Sequence, residues 1–237
     1  MFTAEWWLDK LYLAPGILLG LVVHEFCHGY AAWRLGDPTA KLAGRLSFNP
    51  LRHLDLLGTV ALFVARIGWA KPVPVDARNF RDPRKGILFT SLAGPMSNLV
   101  LGAVLGLGLG GLFTYALKVP GTFDSSWLRL LYLVLFNGVY INFVLAIFNL
   151  LPIPPLDGSN VLGAVLPRGA AASYGRFIAR YGRTVLIVFF LAIFLGPSFG
   201  FPVFQWFLMP PVKVLFRLTT GFSLNELWYF YAATFSL

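Results

Sequence analysis

The chain has 237 residues, of which 57% are hydrophobic and only 12% charged, roughly half the charge of an ordinary soluble domain. Long uncharged runs are satisfied in lipid only as helices or as a closed barrel, and the near-continuous apolar stretches 86–117 and 130–151 lack the alternation of barrel strands, so composition points to an all-α integral membrane protein. The net charge of +9 sits in loops between apolar runs without a recognisable nucleic-acid module, which argues against nucleic acid as a partner, and the single cysteine, Cys27, excludes an internal disulfide.

In chain order, the pattern predicts about four to six transmembrane or re-entrant helices in one polytopic domain over residues 1–237, with room for a short membrane-associated β-hairpin. A first helix from about Leu11 to Trp33 would be ~34 Å long, enough to cross the hydrocarbon. Glu5, Trp6, Trp7, Leu8 and Asp9 before it lack the basic region and cleavage site of a signal peptide. A polar, basic stretch then runs to Lys85, interrupted by the apolar piece Leu56 to Val64, which is too short to span. Within this stretch Lys71-Pro72-Val73-Pro74-Val75 suits either an exposed edge strand, able to pair with an unwound substrate segment, or a plain loop. A second long helix starts near Gly86, passes Pro95 and carries Gly102, Gly106 and Gly110 at a spacing that allows close helix contact. A third runs from about Trp127 to Leu151 and stops where Pro152, Pro154 and Pro155 forbid continuation. Asp157 follows. Arg168, Arg176, Arg180 and Arg183 mark another basic segment before a fourth apolar region, Thr184 to about Met209, broken by Gly196, Pro197, Gly200 and Pro202.

Residues 34–86 and 159–183 hold fourteen of the nineteen Lys and Arg residues. The positive-inside rule therefore predicts a multi-pass protein of the cell membrane with these segments cytoplasmic, so that His24 to His28 and Asp157 share a depth nearer that face.

His24-Glu25-Phe26-Cys27-His28 has HExxH spacing on a segment read as helix on independent grounds. Residues four apart on a helix differ by about 40° in direction, so His24 and His28 can hold one Zn2+ ion per chain through two imidazoles. Glu25 beside the open metal position is placed to take a proton from water and pass it to a leaving amine. Cys27 points away from the histidine face by roughly a hundred degrees and reads as a packed thiol. Ionisable residues at membrane depth are costly, at least ~2.5 kcal/mol each on insertion scales, which favours a metal or an aqueous cavity over coincidence. Asp157, set after a proline-rigid turn, is the foremost candidate for a third ligand, with His53 and Asp55 as rivals whose plainer explanation is a basic surface loop.

Three separated segments, His24 to His28, Ser91 to Asn98 (SLAGPMSN) and Asn149 to Gly158 (NLLPIPPLDG), together with Gly36 to Lys41 and Gly68 to Val75, carry a resemblance over roughly residues 11–165. There the chain resembles the site-2 protease family of intramembrane metalloproteases, in its compact form without a PDZ domain. The resemblance implies zinc held by His24, His28 and Asp157, Glu25 as catalytic base, and Asn149 near the substrate or the oxyanion. It also implies cleavage of transmembrane segments of membrane-protein substrates. One departure is that only about ten residues precede the first apolar run, so helix count and lateral gating are expected to differ from members with an earlier helix. Asn149 has a plain alternative as a cap or bridge to backbone carbonyls, and Asn137 and Asn142 suit interhelical hydrogen bonds. Asn98 lies between these cases and joins Asn149 as a candidate substrate contact. The competing functions are an intramembrane metal-ion transporter, which would repeat ionisable residues along several helices, and an inactive scaffold, which an intact Glu25 disfavours.

Overall fold

A computed structural model describes residues 4–65 and 68–234. Nine α-helices occur among them: α1 (Ala4–Arg34), α2 (Thr39–Leu42), α3 (Leu56–Ala65), α4 (Pro83–Lys118), α5 (Ser126–Asn149), α6 (Asp157–Val165), α7 (Arg168–Leu195), α8 (Met209–Thr220) and α9 (Leu224–Thr234). Among the described residues, three helical stretches are long and apolar enough to cross a membrane, namely α4, α5 and α7 with its extension to Phe199. The protein is an all-α membrane protein, and α1, at 31 residues, is longer than the expected 11–33 helix.

Local chemistry sets several of the helix ends. Asp82 caps α4 by accepting from the Arg84 and Lys85 amides at 3.1 and 3.2 Å, and Pro83 takes the first helical position, where its missing N–H costs nothing. Asp55 serves α3 in the same way, accepting from the Gly58 amide at 2.8 Å. Asp55, a rival ligand in sequence, thus serves as a helix cap and lies outside the group His24, His28 and Asp157 that could hold a metal.

Helices α1, α4 and α5 pack against one another around the site, while α8 and α9 close the other end of the bundle. Apolar burial gives little drive for helix association in lipid, so close backbone approach and buried polar contacts must carry it. Gly16 of α1 meets Gly138 of α5 so closely that an added Cβ would sit 2.9 Å from the Gly138 Cα. At the far end, Tyr132, Phe136, Phe143, Phe216 and Leu227 form a buried cluster, and the Tyr132 hydroxyl donates to Leu227 O at 2.9 Å.

Two expectations change. The basic segment Arg168 to Arg183 is no separate loop: it is the first half of the continuous helix α7, since four arginines spread over helical turns leave the backbone ladder uninterrupted. Among the described residues the β-hairpin reduces to one antiparallel bridge between Leu54 and Ala70. Pro72 and Pro74 cannot donate, and the amides of Lys71, Val73 and Asp76 are committed to His53 O, Glu25 and Asp37.

Candidate metal centre

The helical register of α1 places His24 and His28 one turn apart, with their rings edge-to-face at 4.5 Å between centroids. Both are buried between α1, α4 and the start of α6. The His24 Nδ1 donates to Asn98 Oδ1 at 2.7 Å, and the His28 Nδ1 donates to the Thr90 carbonyl at 2.6 Å. Two further contacts fix these directions. Thr90 O can only accept. The Asn98 amide is oriented because its Nδ2 donates to Gly20 O at 3.1 Å and to Asn142 Oδ1 at 2.8 Å. Asn142 is oriented in turn, its Nδ2 donating to Gly138 O at 2.8 Å. A directed relay therefore runs from a backbone carbonyl of α5 through two fully buried amides to His24, and it commits the Nδ1 hydrogen of the ring.

With both Nδ1 hydrogens used, each neutral ring presents a lone pair at Nε2. The two Nε2 atoms lie 2.9 Å apart, and Asp157 Oδ2 stands 3.2 Å from that of His24 and 3.3 Å from that of His28. Three acceptors crowded together repel unless a proton or a metal ion lies among them. A tetrahedral ion bound at about 2.0–2.1 Å would space its ligands roughly 3.3 Å apart, so this donor set fits zinc. His24, His28 and Asp157 are also the one group of three possible metal ligands among the described residues.

The proline-rich turn after α5 delivers Asp157 as the first residue of α6. Gly158 is required beside it, since a Cβ there would strike the Leu150 and Leu151 carbonyls. Gly94 is needed for the opposite wall. Its missing side chain leaves space for both rings, and an added Cβ would press on His28 Nε2 and lie 2.7 Å from His24 Cε1. The turn carrying Gly94 and the Thr90 carbonyl immediately precedes Pro95, whose ring displaces carbonyls of the turn before it. Gly94 and Thr90 were not singled out from the sequence, although Gly94 lies inside the SLAGPMSN segment that carried the resemblance.

Glu25 is partly buried, and its Oε2 accepts from the Val73 amide at 3.0 Å. Asn98 departs from the expected substrate contact. It is 0% exposed, because its amide is enclosed by α1 and α5, so it acts behind His24 and does not face the reaction space. Asn149 lies at the end of α5, and its Nδ2 donates to Leu145 O at 2.9 Å, the backbone bridge expected of an Asn there. His53 is buried, but its Nε2 donates to Ser47 O at 2.7 Å, and it is outside the ligand group. Asn137 donates within its own helix, to Leu133 O at 2.9 Å, while Asn142 makes the expected interhelical bond. Cys27 is a free thiol outside the ligand set.

The loop beyond α1 is gathered on Asp37. Its carboxylate accepts from Thr39 N at 3.0 Å, Thr39 Oγ1 at 2.5 Å, Asp76 N at 2.7 Å and Asn79 Nδ2 at 2.8 Å. Burial pushes this carboxyl up, and the hydrogen bonds from Thr39, Asn79 and Asp76 outweigh it, so its pKa is lowered. The sign follows: the clamp is intact above the ordinary carboxylate range and loosens only as pH falls through the lowered value.

Comparison with known proteins gives the family. The model of peptidase family M50 matches residues 109–193, which include Asn149 and Asp157. The chain is 38% identical over 182 residues to a Bacillus subtilis protein named "Putative zinc metalloprotease YwhC", covering 76% of this chain and 80% of that protein. It is 30% identical over 227 residues to "Putative zinc metalloprotease Rip2" of Mycolicibacterium smegmatis, covering 92% and 81%. The protein of that name from Mycobacterium tuberculosis is 33% identical over 202 residues, covering 81% and 70%. No solved structure matches. A converging His-His-Asp donor set in a bundle of apolar helices, shared length with these relatives and the family match lead to one conclusion: the chain belongs to peptidase family M50, the site-2 protease family of membrane zinc metalloproteases.

Proposed function

We propose that this chain is an intramembrane endopeptidase that hydrolyses peptide bonds within or near transmembrane segments of membrane-protein substrates, as in regulated intramembrane proteolysis. One zinc per chain is held by His24, His28 and Asp157. The observation that carries the reading is the convergence of His24 Nε2, His28 Nε2 and Asp157 Oδ2 within 3.3 Å of one another, inside a helix bundle, with Glu25 on the adjoining residue.

Zinc, when bound, supplies Lewis acidity toward a peptide carbonyl and toward water. Glu25, with Oε2 engaged by Val73, takes a proton from the attacking water at Oε1 and returns it to the leaving amine nitrogen. The Asn98 and Asn142 relay and the Thr90 carbonyl keep both rings in the tautomer that leaves Nε2 free for metal. Asn149, with its Nδ2 bonded back to Leu145, offers Oδ1 to a substrate backbone N–H.

In this reading the protein is multi-pass in the cell membrane with segments 34–86 and 159–183 cytoplasmic. The metal centre then lies ~10 to 15 Å inside the cytoplasmic face, counted along α1 from His24 and His28 to Arg34 at 1.5 Å per residue. Water reaches it from that side.

Glu25→Gln tests the proposal in purified protein, with zinc content measured beside cleavage of a panel of single-span membrane proteins. Zinc should stay at one per chain while cleavage falls by at least ~100-fold, the contribution expected of a general base. Ordinary cleavage by this variant would remove Glu25 from the role of base.

A further inference from the structure

Glu25 accepts the backbone N–H of Val73, 48 positions away in sequence. Val73 sits between Pro72 and Pro74, which carry no N–H, so it is the one backbone donor of that tripeptide. The segment around it is tied down on both sides. Lys71 N donates to His53 O at 2.7 Å, and the buried Arg45 guanidinium donates to Lys71 O. Asp76 N donates to the Asp37 carboxylate at 2.7 Å. The strap also rests on α1 directly, because an added Cβ at Gly29 would be 3.3 Å from Val73 Cγ1. Gly29 thus lets the strap approach the helix turn that bears Glu25 and His28.

A glutamate at the end of three side-chain torsions is free to swing, and its last torsion is broad. Next to a metal it could turn inward and become a ligand, or turn outward to water; either would remove it from the reacting water. A hydrogen bond from a fixed backbone donor to an ionised oxygen is among the stronger neutral-to-charged contacts and holds one oxygen in place. We infer that the Val73 N–H, presented by the strap 71–76, is a positioning group for Glu25: it binds Oε2 and thereby directs Oε1 to the reaction space. The inference rests on Glu25 as the general base. Pro72 and Pro74 keep the strap extended, and the Asp37 and Arg45 contacts hold its ends, so the donor arrives at a set height above α1. His53 belongs to this device through its backbone carbonyl.

Two measurements on the full-length protein decide it. The first uses hydrogen exchange at the Val73 amide, the sole exchangeable backbone site of residues 72–74. Glu25→Ala should speed that exchange by about tenfold or more, while Glu25→Gln, which keeps an acceptor oxygen, should speed it far less. Equal exchange in wild type and Glu25→Ala would overturn the inference whether or not the protein is a protease.

The second compares Val73→Pro, which deletes the donor, with Val73→Ala, which keeps it, on a fluorophore-labelled single-span transmembrane peptide. The kcat of Val73→Pro should fall below that of Val73→Ala by about tenfold to a hundredfold, with KM and zinc content matching between the two. Equal kcat values, or a loss that follows KM or zinc, would overturn it. If Glu25→Gln itself cleaved normally, the base assignment would fail, and the exchange measurement would still report whether the strap holds Glu25.

Discussion

Asn98→Ala tests the inner wall of the metal centre. The substitution removes the acceptor at 2.7 Å from His24 Nδ1 and the donors to Gly20 O and Asn142 Oδ1 at 3.1 and 2.8 Å, all at a site with 0% exposure. Buried hydrogen bonds between membrane helices average ~0.6 kcal/mol, so three of them amount to about 2 kcal/mol of stability. The larger consequence is for the metal. With no acceptor at Nδ1, His24 can move its hydrogen to Nε2 and turn, which withdraws one of three ligands for part of the time. Loss of such a supporting contact weakens metal binding by about 10- to 100-fold, or about 1.4 to 2.8 kcal/mol. Competition with a chelator of known zinc affinity measures this directly, with helical circular dichroism confirming that the bundle is intact. Asn98→Asp sharpens the test: it keeps an acceptor for His24 but turns a second carboxylate oxygen toward Gly20 O and Asn142 Oδ1. The Asn142 amide cannot flip to relieve the clash, because its Nδ2 is given to Gly138 O. The aspartate should therefore bind zinc more tightly than the alanine and be the less stable of the two. Zinc affinity in a folded Asn98→Ala protein within twofold of wild type would refute the relay.

Asp157→Ala should lose zinc and cleavage together, since two protein ligands hold the ion far less firmly than three, while His53→Ala should keep zinc because its Nε2 is spent on Ser47 O; metal analysis of the two variants side by side checks this, and the reverse pattern would reassign the third ligand. Gly94→Ala should reduce zinc content by at least about tenfold without a change in charge or polarity, because the new Cβ falls on the two imidazoles, each displaced ligand costing affinity of that order. In a background without Cys27, cysteines placed by Leu42→Cys and Gly169→Cys should react with an impermeant thiol reagent from the cytoplasmic side and one placed by Ser125→Cys from the other; all three positions are exposed, and the opposite sidedness would invert the orientation while leaving the zinc chemistry intact.

What the sequence by itself determined is what one helix can encode. His24, Glu25 and His28 lie within five residues, and the fixed turn of an α-helix sets their relative directions before any tertiary contact exists. The long apolar runs and the prolines after residue 151 are likewise local signals: α5 ends where the prolines point, and α4 begins at Pro83, three residues before the expected Gly86. Asp157 was legible only as a candidate beside His53 and Asp55, because a carboxylate more than a hundred residues away acquires its meaning from the turn that brings it back. Tertiary structure alone decided the rest. Asn98 reads as a substrate contact or a helix bridge in sequence, and only the packing of α1, α4 and α5 turns its amide oxygen onto His24 and encloses it. Gly94 is one glycine among many until two imidazole rings occupy the volume its side chain would take. Val73 has no chemistry in its side chain to draw attention. Its role lies in a backbone N–H, a group every residue but proline possesses, and what distinguishes it is the anchoring of the strap by residues scattered from Asp37 to Asp76. Spacing along one helix is written in residue order, whereas the meeting of groups from different helices depends on crossing geometry and on which side chains are small enough to permit it.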